Sequence, residues 1–443
     1  MTDALRPVDL LISARWVVPV IPAGVVLDHH SVAVDAGRII DLCPTVQALE
    51  RYNPAEHVEL RDHLLSPGLI NMHGHAAMSL FRGLADDLPL LTWLNDHIWP
   101  AEGRFVDEKF AADGTLLAMA EMLRCGTTFF SDMYFFPDVT AEVAQQHRMR
   151  AQICIPVLDF PTNWASGPDE YIQKGLAVRE SFRASEFIQV AFGPHAPYTV
   201  SDEPLLRVAT LAEQVGANIQ IHLHETAHEI EEAMSKTGMR PLRRLAELGL
   251  LSPALQAVHM TQLDDYDIQL LAETGTQVIH CPESNLKLAS GFCPVDRLQQ
   301  AGVNVCLGTD GAASNNDHDL LGEMRTAALV GKAVANDAAA VSAHQVLAMA
   351  TVNAARALGR ESELGSIETG KYADLIAIDM SDPLIQPVYD PVAHLVYSTN
   401  SRQVSHSWIN GEIHLRDGEL LRIDLIGLRD RVGRWSRQIA KAD

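Results

Sequence analysis

Eight compact, apolar, β-rich runs follow one another through the middle of the chain, each separated from the next by a longer segment of helical period. They are Leu69 to His73, Thr127 to Met133, Ala151 to Leu158, Ile188 to Phe192, Asn218 to His224, Gln256 to Met260, Thr276 to His280 and Val303 to Leu307. The connectors include Glu108 to Arg124, which carries Leu116, Leu117, Met119, Ala120 and Leu123 on one face and is closed by Gly126. Another runs from Glu203 to Val215, with Ser201 ahead of it as the expected N-cap. Eight strands alternating with helices predict an α/β fold, a (β/α)8 TIM-like barrel, over a doubly wound sheet with fewer strands.

The flanks have a different texture. Ser31 to Asp35 and Arg38 to Ile40 alternate around the turn pair Ala36-Gly37. Ala373 to Ile378, then His406 to Ile409 and Glu412 to Leu415 around Asn410-Gly411, do the same at the other end. Asn-Gly between alternating runs is a strong hairpin signal. Both chain ends are therefore expected to build one small β-sandwich domain. The expected division is 1–66 and 371–443 for that domain and 67–370 for the catalytic barrel.

Composition narrows the partners. With 34 Lys and Arg against 57 Asp and Glu, the net charge is −23. The nearest approach to a basic cluster is Arg240, Arg243 and Arg244, so phosphate-gripping nucleic-acid binding is excluded as an expectation. The most apolar early stretch, Leu10 to Leu27, is broken by Arg15, Pro19 and Pro22 and is too short to span a membrane. No basic region followed by a small-residue cleavage site precedes it. Six cysteines lie singly, without C-x-x-C spacing, and read as reduced thiols in a cytoplasmic protein.

In a barrel of this kind the chemistry sits at the C-terminal strand ends. Six of the eight runs carry an imidazole or carboxylate there: His73-Gly74-His75, His195, His222-Leu223-His224-Glu225, His259, His280 and Asp310. His73 and His75 are two apart on an extended segment and share a face. Asp310 alone would read as an N-cap or Asx-turn residue. With His73, His75 and His222 it completes three imidazoles and one carboxylate, a set that suits zinc, and it would stand beside the metal's water as proton acceptor. His224-Glu225-Thr226-Ala227-His228 matches H-E-x-x-H, but that motif needs a helix, and the preceding residues alternate with period two. The cytidine-deaminase signature needs paired cysteines that the chain lacks.

Several long motifs resemble the amidohydrolase superfamily and, within it, the 5-methylthioadenosine/S-adenosylhomocysteine deaminase family. They are Pro67 to His75, Gly193 to Tyr198, His222 to Thr226, His280 to Leu288 and Gly308 to Asn316, with Gly370 to Leu375 and the terminal hairpin. The resemblance implies one zinc per subunit on His73, His75, His222 and Asp310. It implies Glu225 as the acid/base at purine N1, His259 as the residue orienting the attacking hydroxide, and Glu102 and His195 as nucleoside contacts. Substrate would thus meet Glu102, His195, Glu225 and Asp310, while Glu225, His259 and Asp310 do the chemistry. Read without the resemblance, Glu102 is a solvated charge and Glu225 a cap for the helix near Ala227. His224 and His280 stay open between site-lining and structural roles.

The implied reaction is deamination of a free adenine nucleoside: 5′-methylthioadenosine first, adenosine next, S-adenosylhomocysteine possible. Family members that take S-adenosylhomocysteine are expected to hold its carboxylate with Arg near the loop after strand three, yet Asp159 to Glu170 contains none. Phe160 and Trp164 there are expected to suit an apolar methylthio tail. The alternatives are a related enzyme acting on guanine, 8-oxoguanine or a triazine, and a metal-binding scaffold without catalysis. A homodimer is usual in the family.

Overall fold

The computed structural model describes residues 5–441. Eight parallel strands follow in sequence order around one sheet: β1 (Leu69–Asn71), β2 (Thr127–Met133), β3 (Arg150–Val157), β4 (Ile188–Pro194), β5 (Ile219–Leu223), β6 (Leu255–His259), β7 (Gln277–His280) and β8 (Val305–Leu307). The sheet closes on itself where Met72 N–H donates to Leu307 O (2.9 Å) and Asp310 N–H donates to His73 O (3.0 Å). Gly308 permits that approach, since a Cβ there would lie 2.8 Å from the His73 backbone nitrogen. The first run was expected to stay extended to His73; β1 stops at Asn71 because the His73-Gly74-His75 segment turns into the barrel mouth.

Helices cover the outside as the periodicity requires. The first expected helix runs Glu108–Arg124, its N-cap Asp107 accepting from Phe110 N–H. The second runs Asp202–Val215 with Ser201 in the N-cap position, but the Ser201 side chain makes no cap bond there. Ser201 is held by the loop after β3 instead, its hydroxyl donating to Asp159 Oδ1 at 3.3 Å and its N–H to Asp159 Oδ2 at 2.9 Å.

The chain ends form one eight-stranded mixed sheet in which Leu375–Asp379 pairs antiparallel with the end of Tyr52–Pro67. Leu27–Asp35 and Arg38–Pro44 turn through Ala36 (φ 49°) and Gly37 (φ 75°), while Val404–Ile409 and Glu412–Arg416 turn through Asn410 (φ 55°) and Gly411 (φ 73°). Positive φ at both central residues matches the right-handed strand twist in two-residue hairpins. The sheet is tied to the barrel by a buried ion pair, Arg150 Nε to Asp374 Oδ2 at 2.6 Å. All six cysteines are free and buried. Among the described residues no helix is long and apolar enough to cross a membrane.

Candidate active site

Below the mouth, Ser131, Gln152, Gln220 and Gln256 form a buried hydrogen-bonded network that supports what stands on top of it. Gln220, two residues before His222 and so on the same face of β5, accepts from His73 Nδ1–H at 2.8 Å. Its amide nitrogen donates to Met72 O (2.9 Å) and Gln256 Oε1 (2.9 Å), which settles the orientation of the amide. His75 Nδ1–H donates to Met133 O (2.6 Å), and His222 Nδ1–H donates to His195 O (2.7 Å). All three rings have spent their Nδ1 hydrogens on acceptors, so each neutral imidazole presents a bare Nε2 to the centre.

Those lone pairs converge. His222 Nε2 lies 3.1 Å from His73 Nε2, and Asp310 Oδ1 lies 3.1 Å from His75 Nε2 and 3.5 Å from His73 Nε2. One donor atom from each of the four residues falls within 4.8 Å of all the others. Two facing lone pairs beside a carboxylate cannot satisfy one another; a cation between them can. Burial depresses His73 and His222, disfavouring protonation. Burial acts the same way on His75, but Asp310 overrides it and lifts that imidazole to about 9, so a metal binding at its Nε2 displaces a proton that the carboxylate otherwise holds there. Burial would raise Asp310, yet His73 and His75 hold it well below the usual carboxylate range. Three nitrogens and one oxygen in a buried pocket fit a metal of the zinc type.

Asp310 occupies the left-handed region at φ 62°, as does His259 at 76°. Such strain in non-glycine residues is characteristic of functional sites, and here it turns both side chains into the mouth. The second Asp310 oxygen accepts hydroxyl hydrogens from Ser284 (2.6 Å) and Ser314 (2.7 Å). His259 Nδ1–H donates to Asn285 Oδ1 (2.8 Å), leaving its Nε2 free 3.8 Å from Glu225 Oε2. Burial and then the Asp310 charge push the Glu225 carboxyl up to about 8.

Glu225 does not cap the following helix. Thr226 does, accepting from Glu229 N–H, and the helix runs Ala227–Thr237. His224, at φ 53°, is outside that helix, so the H-E-x-x-H pair never shares a helical face. Its Nδ1–H donates to Gln262 O and its Nε2 accepts from Leu242 N–H, both at 3.0 Å, which makes it a structural clamp. His280 lies 3.5 Å from Asn285 Nδ2 and supports that amide without lining the cavity.

The cavity above the four donors has a volume of about 340 Å³ and is lined by His195, Glu225, His259 and Asp310, together with Glu102 and an apolar wall. Glu102 sits on the helix Trp99–Phe105 and is reached by Tyr134. His195 Nδ1 lies 2.9 Å from Thr199 Oγ1, whose own hydrogen points to Ala196 O, so His195 also offers a bare Nε2. Phe160 contributes to the wall, as expected; Trp164 does not. Trp164 is buried against Tyr171, with ring centroids 5.8 Å apart, because the loop folds back onto its own helix. The apolar wall comes largely from Leu90, Trp93, Leu94, Ile98 and Trp99, a segment with no chemical signature in the sequence. Ser284, Asn285 and Ser314 fall inside the motifs His280 to Leu288 and Gly308 to Asn316 without a distinguishing mark of their own, and of Tyr134 and Gln220, which lie outside the motifs, only Gln220 has a usable signal, its spacing from His222.

Residues 64–414 match the model of the Amidohydrolase family. The chain is 54% identical over 433 residues to a 5-methylthioadenosine/S-adenosylhomocysteine deaminase of Saccharophagus degradans, covering 98% of this chain and 97% of that one. It is 43% identical over 401 residues to a 5′-deoxyadenosine deaminase of Methanothermobacter thermautotrophicus, covering 88% and 90%. A solved adenosine deaminase from Xanthomonas campestris with bound zinc superimposes with a TM-score of 0.98 at 48% identity, covering 99% of this chain and all of that one.

Proposed function

The chain belongs to the amidohydrolase family, and from that premise we propose that it hydrolytically deaminates adenine nucleosides, converting 5′-methylthioadenosine to 5′-methylthioinosine and ammonia. The observation that carries the reading is the convergence of three bare Nε2 atoms and Asp310 Oδ1, with Glu225 and His259 facing the same point. His73, His75, His222 and Asp310 would hold one zinc, which when bound would lower the pKa of a water toward about 7 and so supply a nucleophile at neutral pH.

The protein groups do the rest. Asp310 accepts the water's proton, its charge fixed by the Ser284 and Ser314 hydroxyls on the outer oxygen. Glu225, with a carboxyl that favours protonation at neutral pH, donates to purine N1 as the ring is attacked at C6, and the proton taken up by Asp310 passes to the C6 amine, which leaves as ammonia when the C6–N bond breaks. His259, held by Asn285 with Nε2 forward, orients the nucleophile. Glu102 and His195 present acceptors to the sugar.

The cavity lining supports a preference among these substrates. No Lys or Arg lines it among the described residues. A nucleotide phosphate, or the amino-acid carboxylate of S-adenosylhomocysteine, would therefore enter without a counter-charge. A neutral 5′-thioether fits the wall of Leu90, Trp93 and Phe160. S-adenosylhomocysteine is thus the poorer substrate, with adenosine between. A homodimer in the cytoplasm belongs to the same reading.

Ammonia release from 5′-methylthioadenosine, adenosine, S-adenosylhomocysteine, guanine and a triazine tests it. The expected order of kcat/KM begins with 5′-methylthioadenosine. S-adenosylhomocysteine ahead of it would overturn the preference. Guanine or triazine turnover alone would overturn the nucleoside assignment, and no release from any, with zinc present, would leave a scaffold.

A further inference from the structure

Tyr134, the first residue beyond β2, donates its phenolic hydrogen to Glu102 Oε1 at 2.7 Å. Both residues line the cavity, and Tyr134 is buried. Among the described residues no other side chain hydrogen-bonds the Glu102 carboxylate, and a phenol has a single hydrogen to give. One carboxylate oxygen is therefore occupied and the other is left for the cavity.

The helix that carries Glu102 is itself held at its C-terminal end. Asn163, on the loop after β3, points its amide at the carbonyls of Gly103 (3.2 Å) and Val106 (2.9 Å). Three separate elements thus fix one carboxylate. Burial pushes the Glu102 carboxyl up to about 7, and the Tyr134 bond works against that rise. An acceptor for sugar hydroxyls has to remain ionised and aimed, and charge-assisted bonds of this kind are the strong ones.

We propose that Tyr134 is a positioning residue for sugar recognition, holding Glu102 so that its free oxygen accepts from the vicinal hydroxyls of the ribose. The inference rests on the nucleoside reading above and on Glu102 meeting the sugar. It assigns specificity for an intact ribose to the Tyr134–Glu102 pair, not to Glu102 alone.

The experiment compares kcat/KM for adenosine with that for 2′,3′-dideoxyadenosine in the zinc-loaded wild type, Tyr134→Phe, Glu102→Gln and the double variant. Tyr134→Phe is expected to lower the preference for adenosine about tenfold, mainly through KM, the size of one charge-assisted hydrogen bond. In the Glu102→Gln background it should lower it no further. Thermal melting confirms folding, and Tyr134→Leu, which also lacks the hydroxyl, should repeat the pattern. Equal losses on both substrates would reduce Tyr134 to a structural role and overturn the proposal. If Glu102→Gln keeps the wild-type preference, the ribose role of Glu102 fails and the proposal with it. If Glu102→Gln loses the preference and Tyr134→Phe keeps it, only the role of Tyr134 falls. A wild type inactive on both nucleosides would mark failure of the nucleoside reading itself.

Discussion

His73 and His222 face each other Nε2 to Nε2 at 3.1 Å, although each has already given its Nδ1 hydrogen to an acceptor elsewhere. Two lone pairs at that distance repel unless a cation lies between them, so the geometry of the metal site is written in the hydrogen bonds behind it. Gln220 is the group behind His73. Replacing Gln220 with Leu removes the acceptor for Nδ1–H and is expected to weaken zinc binding by about 10- to 100-fold, the usual size of such effects. Competition with a chelator measures it; an unchanged affinity in Gln220→Leu would contradict the assignment.

His224 is expected to separate structure from chemistry. His224→Ala leaves Leu242 N–H without its acceptor in a buried region, while Gln262 O keeps the Arg240 guanidinium, at a cost of about 1–3 kcal/mol. Denaturant unfolding should show that loss while zinc content stays at one per chain. Loss of zinc with stability preserved would instead make His224 part of the metal site.

His414 gives the pH prediction. It is buried in the terminal sheet, and neither ring nitrogen has a hydrogen-bond partner. Burial, reinforced by Arg422, Arg148 and His147, holds its imidazole down at about 3, against about 6.5 when unfolded. The unfolded chain therefore binds more protons between those values, so this contribution is intact above about pH 6.5 and is lost as pH falls toward 3. At pH 5 the loss is about 2 kcal/mol. His414→Leu should melt higher than wild type, with the gain larger at pH 5 than at pH 8. A gain independent of pH would contradict the assignment.

What the sequence made legible follows from how local each signal was. His73, His75, His222 and Asp310 each follow or end an apolar run, where a barrel puts its chemistry, so the donor set could be read from the order of the runs, although β1 stops at Asn71 and strand alternation does not reach His73 and His75. Glu102 could not be placed that way. Its partner Tyr134 is 32 residues away, and their contact depends on where the helix Trp99–Phe105 lands against β2. Trp164 shows the opposite error: an aromatic in a cavity loop turns back to pack on Tyr171. Ser201 keeps its N-cap position but is drawn to Asp159, a partner that only the folded loops bring near.

The most direct test of the account is turnover of 5′-methylthioadenosine by Glu225→Gln alongside its measured zinc content. Glu225 stands clear of the four converging donors yet faces the same point. The expected result is one zinc per chain, as in wild type, with kcat reduced by about 10²- to 10⁴-fold; His222→Ala, by contrast, should lose the metal. A Glu225→Gln enzyme that keeps its zinc and turns over at the wild-type rate would contradict the account.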